Sequence, residues 1–213
     1  MTPDEIITKA RQRYNAVGDT FFSDSELYDL IWEAEMELSM EIQCIEDTYS
    51  TSSVASQREY VKPSNCIAIK HITYDGKTLT PVNLDEDDII TGYDEDTTAT
   101  GTPSNYAEWE GSIFLRPTPG EIKTIKLWFY AKPAVVVSST ALEVPEEYQI
   151  AIIDFILHNM AKKDCNENFA SYNLNKWESS KIKFLAWERK KKRRNAAAHV
   201  QNLDFHIEAS AII

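Results

Sequence analysis

The sequence predicts an α+β protein: a helical bundle built from two N-terminal and two C-terminal helices, with an inserted antiparallel β domain and an extended C-terminal tail. Three observations predict it. Apolar residues recur at helical spacing in the first fifth of the chain and again after residue 145. Between these stretches the period changes to alternation, broken by clusters of Gly, Pro, Ser, Thr and Asp. After the last helical stretch the chain alternates again up to its end. The expected boundaries are 1–46 for the first two helices, 47–141 for the β insertion, 142–197 for the last two helices and 198–213 for the tail.

The first helix opens at Pro3 with Asp4 and Glu5, residues suited to a first turn, and carries Ile6, Ala10, Tyr14 and Val17 on one face. Gly18 is the expected stop. The second starts at Ser23, where Ser-Asp-Ser-Glu has the pattern of a capping box: the Ser23 hydroxyl accepts from the Glu26 amide while Glu26 reaches back. Leu27, Leu30, Ile31, Ala34, Leu38, Ile42 and Ile45 then form an apolar stripe.

In the β block, Ile67 and Ile69 alternate with Ala68 and Lys70, and Asp75-Gly76 supplies the positive-φ turn of a tight hairpin whose return strand runs from Lys77 to Val82. Ser112–Arg116 and Thr124–Ala131 are predicted strands; the second places Ile125, Leu127 and Phe129 on one face and Lys126, Trp128 and Tyr130 on the other. Trp128 and Tyr130 thus belong either to a second sheet layer or to a contact with a neighbouring subunit. Asp85 to Trp109 is acidic, polar and loop-like.

Helix resumes at Pro145, expected at the first helical position and followed by Glu146 and Glu147, which complement the helix dipole. Tyr148, Ile150, Ile152, Ile153, Phe155, Ile156, Leu157 and Met160 leave little polar face, so this helix is the expected centre of the bundle. A last helix from about Phe169 to about Ala197 carries Leu174, Trp177, Phe184 and Trp187. At helical spacing Trp177, Phe184 and Trp187 are read as core or subunit interface.

The chain has 213 residues and a formal net charge of −12, from 34 acidic and 22 basic residues. Such a balance argues against a protein that coats nucleic acid over its whole surface. The three cysteines, Cys44, Cys66 and Cys165, are far apart and in no metal-ligand spacing, and the N-terminus lacks an apolar signal core. A reducing cytoplasm is the expected place of synthesis, with no membrane span. His71, His158, His199 and His206 form no metal pattern, and no GxSxG, Walker A, GxGxxG or HExxH string is present. No catalytic residue, cofactor site or metal site is therefore assigned, and the chain is not read as an enzyme.

Several strings, in this order, carry a family resemblance: Phe22 to Leu30 (FSDSELYDL), Tyr49 to Tyr60 (YSTSSVASQREY), Ile72 to Pro81 (ITYDGKTLTP), Leu115 to Pro119 (LRPTP), Leu127 to Pro133 (LWFYAKP) and Val144 to Tyr148 (VPEEY). Together they span roughly residues 3–190 and resemble the head-to-tail adaptor family of short-tailed and related tailed bacteriophages. The resemblance implies a homo-oligomeric ring, a dodecamer, in the virion neck between the capsid portal and the tail. It implies docking of the bundle on the portal protein, tail nozzle or fibre proteins as further partners, and genomic DNA passing through the lumen without sequence-specific binding.

Two features are candidates for that docking. Arg189, Lys190, Lys191, Lys192, Arg193 and Arg194 surround a helix and do not fit on one face. They are read as a solvated basic helix end that complements the helix dipole, as a contact for an acidic portal surface, or as a contact for DNA phosphates. In the tail, Leu203, Phe205, Ile207, Ala209, Ala211 and Ile213 alternate with Asp204, His206, Glu208 and Ser210, a strand without an evident hairpin partner. Addition to another protein's sheet or groove is favoured over pairing within its own β block and over a frayed end. Leu203, Phe205, Ile207 and Ile213 therefore join the basic run as expected portal-binding residues. The competing functions are a nucleic-acid-binding accessory protein that uses the basic run and, least favoured, a virion cell-wall hydrolase.

Overall fold

A computed structural model of the chain describes residues 1–83, 100–138 and 141–210, with side chains given through residue 194. The acidic stretch from Asp85 to Asp96 lies outside the described residues. Two compact units emerge: Met1–Cys44 together with the chain from Pro133 onward, and Ile45–Lys132. The fold class is the α+β arrangement expected, with four helices and antiparallel sheets among the described residues.

In the helical unit, α1 (Pro3–Tyr14) begins with a complete capping box, the Glu5 amide donating to Thr2 Oγ1 at 3.2 Å and the Thr2 amide to Glu5 Oε2 at 3.0 Å. It ends earlier than Gly18, because Asn15 takes the left-handed cap (φ 60°), a conformation that Asn tolerates. Ser23 caps α2 (Asp24–Ile42) by accepting from the Glu26 amide at 3.2 Å. The reciprocal half of that box is not made; the Glu26 carboxylate accepts instead from Lys163 Nζ at 2.6 Å.

The third helix, α3 (Glu146–Lys163), buries Tyr148, Ala151, Ile152, Ile153, Ile156, Leu157 and Met160. It packs against α1, α2 and the last helix, α4 (Glu167–Ser210), and so forms the centre of the bundle. Ile150 is the exception on its apolar surface, at 56% exposed. Pro145 stands at the N-cap with φ −50° and ψ 146°, one residue before its expected place.

The segment from Pro133 to Pro145 groups with the helices. Val136 and Val144 are buried, and the Glu143 and Val144 amides donate to Glu35 Oε1 of α2 at 2.9 and 3.1 Å. Glu35 is itself 1% exposed, and burial pushes its carboxyl up to about 7 against the two amide bonds that oppose the shift. A carboxyl raised from 4.5 in this way favours the folded state below that value, and the contribution is lost as pH rises to about 7. Chemical denaturation should therefore show wild-type stability falling by on the order of 3 kcal/mol between those limits. Glu35→Gln, which resembles the protonated acid, should flatten that slope.

The β unit contains β1 (Glu46–Ser52), β2 (Glu59–Val61), β3 (Cys66–Tyr74), β4 (Lys77–Thr78), β5 (Thr80–Pro81), β6 (Thr100–Gly101), β7 (Asn105–Trp109), β8 (Ser112–Arg116), β9 (Thr118–Pro119) and β10 (Thr124–Ala131). One sheet has the order β1-β10-β3-β4, another β2-β8-β7-β5, and β6 pairs with β9. Asp75 (φ 50°) and Gly76 (φ 77°) form the tight turn between β3 and β4, since both central positions need positive φ.

The return strand is not continuous from Lys77 to Val82. It breaks after Thr78, and Thr80–Pro81 crosses to pair in parallel with β7 in the other sheet. Likewise Asn105–Trp109, expected as loop, is a strand that exchanges its ladder with β8. Burial alternates along β10 as the sequence requires, with Ile125, Leu127, Phe129 and Ala131 at the core.

A candidate docking helix

The longest element, α4, has 44 residues, which at 1.5 Å per residue makes about 66 Å of helix. It starts at Glu167, where Asn166 Oδ1 accepts from the Phe169 amide at 3.3 Å. Ala170, Asn173, Trp177, Lys181 and Glu188 are its buried residues among the described side chains, spaced to face the bundle.

Trp177 is fully buried, its ring centroid 5.2 Å from that of Phe155, and its Nε1–H donates to Glu37 Oε1 at 3.2 Å. One turn on, the ammonium of Lys181 bridges back to α2, where it bonds Glu37 and reaches Glu41 at 3.2 Å, and it pairs with Glu178 of its own helix at 3.0 Å. Burial alone pulls this ammonium down, yet the three carboxylates outweigh it and hold it above the usual lysine value. Further along, Phe184 lies 4.3 Å from the Tyr148 ring and Trp187 meets the same ring edge-on at 5.9 Å. Tyr148 Oη donates to Glu188 Oε1 at 2.9 Å. Of the three expected aromatics, Trp177 is core, Phe184 half-buried, and Trp187 42% exposed.

Beyond Glu188 the helix carries the basic run. Arg189 through Arg194 are all exposed. Lys191 Nζ reaches back to Glu188 at 3.5 Å and sits 5.4 Å from the Trp187 ring centroid. Trp187, Lys190, Lys191 and Arg194, at positions i, i+3, i+4 and i+7, line a shallow groove of about 150 Å³.

Two expectations are corrected here. The tail is not a strand through residue 210: α4 continues to Ser210, so Leu203, Phe205 and Ile207 lie on helical backbone, while Ile213 is outside the described residues. A lone strand leaves its backbone groups without partners, whereas a helix satisfies them internally, and Ala196-Ala197-Ala198 with no Gly or Pro after Arg194 lets the helix propagate. As a consequence the basic run is not at a helix end. It lies inside the helix, too far from the C-terminus for the dipole to account for it.

Lys181, Glu37 and Glu41 were not singled out by the sequence reading, although a lysine at helical spacing between Trp177 and Phe184 and an i,i+4 acidic pair were visible. On the sheet face, Trp128 and Tyr130 are half-buried beneath lysines, with Lys126 Nζ 4.8 Å from the Trp128 centroid and Lys70 Nζ 6.0 Å from that of Tyr130. Among the described residues no three His, Cys, Asp or Glu residues are grouped as a metal would need, and no helix is long and apolar enough to cross a membrane.

The chain is thus a helical bundle interrupted in sequence by a β unit, with an exposed cationic segment on its last helix. A family model described as SU10 adaptor protein matches residues 1–198. The chain belongs to this family and is a bacteriophage adaptor protein. No curated protein matches it.

Proposed function

We propose that this chain is a non-enzymatic subunit of a dodecameric ring in the virion neck, docked on the portal through the basic segment of α4. The observation that carries this reading is the placement of six of the chain's 22 cations, Arg189 to Arg194, on exposed helix just past Glu188, the last buried side chain among the described residues. In a chain of net charge −12 such a concentration suits an acidic partner surface. The helical state of residues 195–210 makes helix-in-groove docking the mode that fits, in place of strand addition. The β unit then contacts tail nozzle or fibre proteins, and DNA passes through the lumen.

Replacing all six cations by glutamine keeps helix propensity and removes only charge. The variant should unfold like wild type while its attachment to portal-bearing heads weakens at least about tenfold, equal to about 1.4 kcal/mol shared among six exposed cations. Unchanged attachment would defeat the reading. The second reading, DNA binding, is favoured by the cations encircling the helix; it requires tight binding of free DNA that falls steeply with salt.

A further inference from the structure

We infer that the free edge of β1 is a self-association surface, at which β1 pairs antiparallel with β1 of a second copy about a twofold axis. The inference stands independently of portal docking.

Its basis is the hydrogen bonding of the edge. The Ser53 amide donates to Lys123 O at 2.7 Å and the Ala131 amide to Ile45 O at 3.0 Å. In the continuous register from Glu46↔Tyr130 to Ser52↔Thr124, these bonds make the odd-numbered residues face β10. The backbone groups of Thr48, Ser50 and Ser52 consequently face away from the sheet. Thr48 N–H is covered, donating to Asp47 Oδ1 at 2.7 Å. Ser50 and Ser52 N–H have no acceptor among the described residues.

Proteins guard such edges by shortness, proline, lysine or bulges. Every other edge among the described residues of this unit is guarded, β6 and β9 by having two residues each. β2 has three residues, β4 two, and β5 ends at Pro81. β3 beyond its short pairing with β4 is bulged twice against β10 and carries Lys70. Among the described edges β1 alone has seven residues with no bulge, proline or lysine, and all but Thr51 are exposed. Of the edges a second copy offers, β1 is therefore the one that matches.

Charge and donor positions choose the register. Parallel pairing sets Glu46 and Asp47 beside their own copies, whereas antiparallel pairing sends them to opposite ends. With Ser50 opposite Ser50 of the second copy, Ser50 N–H meets Ser50 O and Ser52 N–H meets Thr48 O, twice each. All four uncovered donors are used, and the covered Thr48 N–H is the one left out. Glu46 then lies opposite Val54, with no like-charge pair. Such an interface closes at two copies and cannot propagate a ring. It holds unassembled subunits in pairs.

Sedimentation of the full chain from about 1 µM to about 1 mM should show a reversible monomer–dimer equilibrium, the range expected for a small interface. Ser50→Pro removes an N–H that faces outward, a place where an edge strand accepts proline, and should leave monomer at all concentrations; Ser50→Ala keeps the N–H and should dimerise. As a check independent of S50P folding, Ser50→Cys treated with oxidised glutathione should cross-link to itself faster than Thr48→Cys or Ser52→Cys, above the background of the native cysteines. A wild type that stays monomeric at the highest concentration overturns the inference. So does equal cross-linking at positions 48, 50 and 52. S50P that still binds portal-bearing heads separates this result from the docking proposal.

Discussion

Trp177→Ala lowers the unfolding free energy by about 4 kcal/mol, the range for removing a large buried aromatic side chain. The expectation rests on three losses at one position. The ring is fully buried, it packs on Phe155 of α3, and its N–H satisfies Glu37 of α2, so a single side chain joins three helices. Trp177→Phe restores part of the volume but not the donor, and should recover about half of the loss. Urea denaturation of the full chain measures both. A change under about 1 kcal/mol for the alanine variant would mean that α4 is not anchored there.

Lys181→Ala costs about 2 kcal/mol, for a different reason. Removing the ammonium, which is 7% exposed, leaves Glu37, Glu41 and Glu178, whose side chains are 32%, 52% and 51% exposed, converging without their shared cation, so that solvent screens part of the loss. Because the folded state holds this lysine above its ordinary value, its contribution is intact below about 10.5 and is lost only as pH rises through the higher folded value. At neutral pH the wild type keeps all of it. Glu37→Gln in the Lys181→Ala background should restore about 1 kcal/mol, since one unmatched charge is gone. Full additivity of the two substitutions would remove the bridge from the account.

Both residues show what the sequence can and cannot disclose. Trp177 was legible as core or subunit interface because it stands at helical spacing with Leu174, Phe184 and Trp187, and periodicity is a local property. Lys181 shares that spacing, but its worth depends on Glu37 and Glu41, which lie far away in sequence and meet it only when α2 and α4 pack. The Asp75-Gly76 turn and the alternation of Ile125, Leu127 and Phe129 were local as well, and the structure has them as expected.

The errors arose where two local signals competed. Residues 203–210 carry strand alternation, yet they continue from a helix that meets no breaker, and internal hydrogen bonding prevailed over side-chain period. The break of the return strand after Thr78 was invisible because the partner of Thr80–Pro81 is β7, reached through tertiary pairing alone. The basic run was legible as a charge feature, while its position within a helix, and hence the failure of the dipole explanation, required the structure.

Electron microscopy of negatively stained mixtures of the chain with purified portal tests the central claim most directly. Portal docking through Arg189–Arg194 predicts rings stacked on portal for the wild type, no such rings without portal, and few or none for the variant with all six cations replaced by glutamine. Rings of the same abundance on portal with that variant, or rings that form without portal, would contradict it.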